Sequence, residues 1–128
     1  MNNSYAPEGY QTVIPYLILP GARKFLEFAK EVFDAEENHK VMADEDLIRH
    51  AQVKIGDSTI MFADSSETFP PQTAGMFVYV KNADETYDKA LQAGATSIMP
   101  PADQEYGRSC GIKDSLGNTW WITSINKQ

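Results

Sequence analysis

"KIGDSTIMFAD" (residues 54–64) and "DSLGNTWWITS" (residues 114–124) share one plan: a glycine among polar residues, then a short run rich in β-branched and aromatic side chains. A second pair, "YLILPGARKFLEFAKEVFDAEE" (16–37) and "FVYVKNADETYDKALQAGATSI" (77–98), overlays at nearly the same offset of about 60 residues. Self-similarity at a fixed period has to be read before any fold is assigned. Each half reads as strand, helix, then three strands.

Working outward, the first half holds the clearest helix. Ala22, Phe25, Leu26, Ala29, Val32 and Phe33 recur at helical spacing, with Arg23, Lys24, Glu27, Lys30 and Glu31 on the other face. In the second half Asn82 is placed to cap a helix, Glu85 follows three residues later, and Gly94 stops it. "TVIPYLIL" (12–19) reads as a strand, with Pro15 pointing to an edge or a bulge. The polar segment 36–46 reads as a strand and a loop, and 47–64 as a hairpin turning at Gly56-Asp57. "SSETFPPQTAG" (65–75) has the composition of a linker. Beyond it come a strand (76–80), the helix, a short strand "TSIM" (96–99), a loop "PPADQEYG" (100–107) and a closing strand pair over 108–124.

The expectation is an α+β fold of two tandem βαβββ modules, about 12–64 and 76–124, forming a cupped mixed sheet. A flexible arm, 1–10, precedes a single domain over 11–128. One helix covers only one face of a four-stranded sheet, so the uncovered faces of two such units are expected to form a shared trough for a small ligand.

Composition narrows the partners. A length of 128 residues suits one domain, and 42% hydrophobic with 23% charged residues is ordinary for a soluble globular chain. A formal net charge of −7 repels phosphate backbones, so nucleic acid is not expected as a partner. The single cysteine, Cys110, rules out an intrachain disulfide. "MNNSYAPEGYQ" lacks the basic and apolar regions of a signal peptide. "VIPYLILP" is far shorter than the roughly 20 residues that span a bilayer. A cytoplasmic location, with no membrane partner, is the expectation.

The duplicated pattern, carried by "HAQVKIGDSTIMFAD" (50–64) and by "VKNADETYDKALQAGATSIMPPADQEYG" (80–107) with "GIKDSLGNTWWI" (111–122), resembles the vicinal oxygen chelate superfamily. That group holds the glyoxalases, extradiol dioxygenases, and fosfomycin- and bleomycin-resistance proteins, and the sequence is most similar to its PhnB-like branch over about residues 12–124. The resemblance implies a homodimer, which the exposed edges of half-barrels also favour. It further implies, in catalytic members, a divalent metal held by His and Glu on the first and last strand of each module.

Those metal-ligand positions fall here at Ile14, Met61, Met76 and Trp121. None offers the nitrogen, oxygen or thiolate donor that a divalent ion needs. Their neighbours Val13, Pro15, Ile60, Phe62, Gly75, Phe77 and Trp120 are no better. Further departures are Gly117-Asn118 in place of Gly-His, Gln52 where relatives favour an acid, and Cys110 with Ser109 in the loop motif. No metal and no cofactor are therefore expected, and metal-dependent glyoxalase or dioxygenase activity is disfavoured. The alternative is a metal-dependent lyase, dioxygenase or transferase with displaced ligands, His50 and Glu105 among them.

Each candidate residue carries a functional and a structural reading. His50 as ligand or base needs company, and strand parity supplies only Gln52, a hydrogen-bond partner and not an activating carboxylate. A satisfied structural histidine fits that better. Cys110 reads as a small buried apolar residue before it reads as a nucleophile. Tyr106 and Arg108 lie in a Gly-punctuated segment, where Arg108 could clamp a carboxylate or stand as a solvated charge beside Glu105. Tyr16, Met61, Met76 and Trp121 are expected to line the cup, either filling it as core or offering an adaptable aromatic pocket. Parity puts the adjacent tryptophans on opposite faces. The repeat overlay then assigns Trp120 to the core beneath the helix and Trp121 to the cup, at the position where the resemblance implies a metal-binding glutamate. The expected function is binding of a small apolar or aromatic molecule without a metal.

Overall fold

Strand order is the same in both halves. A computed structural model describes residues 5–125. It runs β1 (Tyr16–Leu19), α1 (Ala22–Phe33), β2 (Glu36–Met42), β3 (Ile48–Ile55), β4 (Ser58–Asp64), β5 (Gly75–Tyr79), α2 (Ala83–Gln92), β6 (Thr96–Gln104), β7 (Gly107–Lys113) and β8 (Thr119–Ser124). The sheets are ordered β1-β4-β3-β2 and β5-β8-β7-β6. In each, the first strand lies parallel to the last and the other pairs are antiparallel. This is the α+β architecture of two βαβββ modules that the repeat predicts. The chain divides into two compact units, residues through Lys30 with Asp34–Gln72, and Glu31–Phe33 with Thr73 onward.

The predicted apolar stripe of α1 is buried, and Phe25 meets Phe62 of β4 edge-on with ring centroids 4.8 Å apart. A helix start leaves its first N–H groups without internal partners. Both modules supply one from the end of their last strand. The Ala22 N–H donates to Asp64 Oδ1 (2.9 Å), and the Ala83 N–H donates to Ser124 Oγ (3.1 Å). Asp64 serves α1 in place of a local cap, because Gly21 stands at the N-cap with no side chain to offer. Asn82 caps α2 as its sequence foretold, accepting from the Glu85 N–H (3.1 Å).

Two boundaries differ from the expected ones. β1 starts at Tyr16, not Thr12, because Pro15 brings a carbonyl, which accepts from the Met61 N–H (2.9 Å), but no N–H to extend the ladder. β6 continues through Pro100 and Pro101, expected as loop, because it is an edge strand and the prolines fall in a register shift between Met99 and Ala102. The arm expected over 1–10 is tied down at its end: Tyr10 bonds Gln52, and its neighbour Gln11 bonds the Thr59 backbone. Residues 1–4 of that arm and 126–128 of the domain lie outside the described residues. No helix among the described residues is long and apolar enough to cross a membrane.

Candidate functional site

Parity along the strands sorts the side chains of each sheet onto a helix-covered face and an uncovered one. In the first module Leu17, Leu19 and Phe62 are buried beneath α1. The uncovered face carries a row across all four strands, Tyr16–Met61–Gln52–His39, fixed by the register of neighbouring pairs. His50 stands two residues from Gln52 on β3 and shares its face.

These groups form a hydrogen-bonded chain. The Tyr10 hydroxyl donates to Gln52 Oε1 (2.6 Å), Gln52 Nε2 lies 3.0 Å from His50 Nε2, and His50 Nδ1 lies 3.1 Å from the Tyr16 hydroxyl. Gln52 is buried, whereas Tyr16 is 47% exposed. Burial, and secondarily the nearby His39, hold the His50 imidazole below its ordinary pKa and favour the neutral ring. His50 thus has partners on both nitrogens, none of them a carboxylate.

In the second module the corresponding row is Phe77–Trp121–Gly111–Met99. The Trp121 indole lies over Gly111, where a Cβ would come within 2.5 Å of its Cζ3. Only glycine admits this close approach. Trp121 remains 37% exposed, and Phe77, Tyr79 and Tyr106 are more exposed still. Phe77 packs edge-on to Tyr79 (5.2 Å between centroids) and tilted to Tyr106 (6.4 Å). At the end of β5 a depression of about 680 Å³ is lined by Tyr79, Val80, Lys81 and Ile125.

Trp120 points the other way and is buried, its ring 4.4 Å from that of Phe33. Its indole N–H donates to Asp114 Oδ2 (2.9 Å). Asp114 also accepts from the Leu116 and Asn118 N–H groups and from Asn118 Nδ2, so one buried carboxylate organises the whole turn.

Three expected candidates lie on the helix side. Met76 pairs with Trp120, not Trp121, which puts it on the helix-covered face; Phe77 holds the place expected of Met76. Arg108 pairs with Ser124 and is clamped bidentately by Asp84 of α2 (2.9 and 3.1 Å), with Asp103 at 3.3 Å. That ion pair holds the Asp84 carboxyl below its usual range and leaves Arg108 committed to the scaffold. Cys110 is fully buried, and burial, with Asp84 adding to it, pushes its thiol up to about 11. Tyr16, His50, Gln52 and Met61 are brought together; Tyr106 and Trp121 share the second module's uncovered face with Phe77 and Tyr79, which the sequence reading did not single out.

A divalent ion does not fit this donor chemistry. The paired first- and last-strand residues are Tyr16 with Met61 and Phe77 with Trp121: phenol, thioether, phenyl and indole. Among the described residues no group of three or more His, Cys, Asp or Glu stands where it could hold a metal.

The sequence profile described as Glyoxalase/Bleomycin resistance protein/Dioxygenase superfamily matches residues 16–122. An uncharacterized protein of Mycobacterium bovis is 27% identical over 118 residues, covering 83% of this chain and 78% of its own. A counterpart from Mycobacterium tuberculosis is equally similar, with 69% of its length covered. Among solved structures, TioX of Micromonospora sp. ML1 superposes with a TM-score of 0.72 at 21% identity, covering 92% of this chain and 98% of its own. The PhnB protein of Bacillus cereus gives 0.70 at 19%, covering 90% and 100%. The fosfomycin resistance protein FosX of Mesorhizobium loti gives 0.65 at 15%, covering 88% and 90%. At these identities the likeness to the solved structures is one of fold.

Proposed function

Because the chain belongs to the Glyoxalase/Bleomycin resistance protein/Dioxygenase superfamily, we propose that it binds a small, flat, apolar or aromatic molecule without the metal site of the superfamily's catalytic members. The observation that carries this reading is the half-exposed Trp121 indole laid over Gly111, beside the exposed rings of Phe77, Tyr79 and Tyr106. Contiguous aromatic surface left exposed on a chain marks a binding groove or an interaction site. Rigid rings offer large contact area at small entropic cost, which suits recognition of another flat molecule. A cytoplasmic homodimer completes the proposal, its assembly open to light scattering at micromolar concentration.

The test is a thermal-shift screen of planar aromatic compounds against untagged protein, with tryptophan fluorescence as second readout. A binder at a hundredfold excess over Kd stabilises by about 2.7 kcal/mol, several degrees in Tm for a domain of this size. Trp121→Ala removes the shift. A panel that moves neither Tm nor fluorescence defeats the reading, and so does stoichiometric zinc, nickel, manganese or iron in the purified protein.

A further inference from the structure

The chain of hydrogen bonds on the first module has a direction. Tyr10 donates to Gln52 Oε1, which fixes the amide with its Nε2 towards His50. An amide nitrogen only donates, so His50 Nε2 must accept and the neutral imidazole carries its proton on Nδ1. That proton goes to the Tyr16 oxygen, 3.1 Å away. With its oxygen accepting, Tyr16 keeps its own O–H proton, for which no second partner stands among the described residues, on a side chain 47% exposed.

We infer that the Tyr16 hydroxyl is the directed donor of a polar subsite on the first module, taking the oxygen of an uncharged, carbonyl-bearing apolar ligand. Ile18 and Met61 flank it on the same face and offer apolar contact. The bonded chain contains no cation while His50 is neutral, and a net charge of −7 disfavours an anionic ligand. A phenol that already accepts a hydrogen bond donates at lower entropic cost, because its rotor is held. The inference is argued from the first module alone and rests on the binding reading above only for the class of ligand, small and apolar or aromatic.

Two measurements test it on the full chain. Imidazole ¹⁵N spectra of histidine-labelled protein at pH 8 should place the His50 proton on Nδ1. Tyr10→Phe removes the group that orients Gln52 and should move the His50 signals towards tautomer averaging without unfolding the protein. A His50 proton on Nε2 overturns the inference, because Tyr16 then donates inward.

The second measurement uses a matched pair of probes, 2-acetylnaphthalene and 2-ethylnaphthalene, with binding read by equilibrium dialysis. The acetyl compound should bind roughly 3- to 10-fold tighter, the worth of one neutral hydrogen bond. Tyr16→Phe should abolish that preference and leave 2-ethylnaphthalene within twofold. Equal affinities for the two probes, or a preference that survives Tyr16→Phe, overturn the inference while leaving the aromatic binding reading intact. Failure of both probes to bind removes the support for each, whereas the tautomer measurement stays specific to Tyr16.

Discussion

Trp121 and Gly111 are made for each other: the indole occupies the space in which any Cβ on Gly111 would stand, 2.5 Å from Cζ3 and 2.8 Å from Cε3. Gly111→Ala therefore forces the ring off the sheet or bends β7. Overpacking of this kind costs about 1–3 kcal/mol. The same substitution made in Trp121→Ala should cost far less, because the clash has gone. Urea unfolding of the two single variants and the double variant closes that cycle, and additive costs would refute the contact.

Asp114 gathers four donors, including the Trp120 indole N–H, at a buried carboxylate. Asp114→Asn replaces an acceptor oxygen with an amide group facing donors already in place. Bonds to a charged acceptor are worth about 1.5–3 kcal/mol each and an unmet buried donor adds its own penalty, so a loss of at least about 2 kcal/mol is expected. Near-ultraviolet circular dichroism, reporting the Trp120 environment, should change alongside the urea midpoint.

His50 gives stability a pH dependence whose sign is set by its depressed pKa. The folded state binds fewer protons than the unfolded chain below about pH 6.5, the ordinary histidine value. The stability it contributes is complete above that pH and is lost as pH falls through the lower folded value. Melting temperature should drop between pH 7 and pH 5 in the wild type. His50→Gln should flatten that segment, leaving the fall near pH 4 that Glu37 and Asp84, both held low by basic partners, impose.

Arg108 is bound to α2 and stands apart from the uncovered face. Arg108→Met should leave aromatic binding within twofold. Its ion pairs are solvent-exposed, with the Arg108 side chain 36% accessible, so the urea midpoint should stay close to that of the wild type. Isothermal titration and urea unfolding check the two halves of this expectation.

The architecture was legible because duplication writes the same pattern twice, and patterns of 2.0 and 3.6 residues survive divergence well. The overlay of Tyr16 on Phe77 already held the register that the structure reports, Tyr16 with Met61 and Phe77 with Trp121. The family's metal-ligand position falls at Met76, one residue before the Phe77 that overlays Tyr16, and one residue on a strand is a change of face. Arg108 was ambiguous for another reason: its partner Asp84 lies 24 residues away, across a helix start that no local spacing announces. The chain through Tyr10 is still less visible, since its link to Gln52 spans 42 residues and begins in a segment of turn composition. Long-range hydrogen bonds leave no periodic trace.

The capping of α1 by Asp64 and of α2 by Ser124 also bears on time. Each helix waits for a partner 42 or 41 residues downstream before its opening turn is complete. Contacts so distant along the chain form slowly, because loop-closure entropy is lost before they reward it. The leading amides of Ala22 and Ala83 therefore act as clocks, and the moment each becomes protected from exchange marks the docking of the last strand of its module.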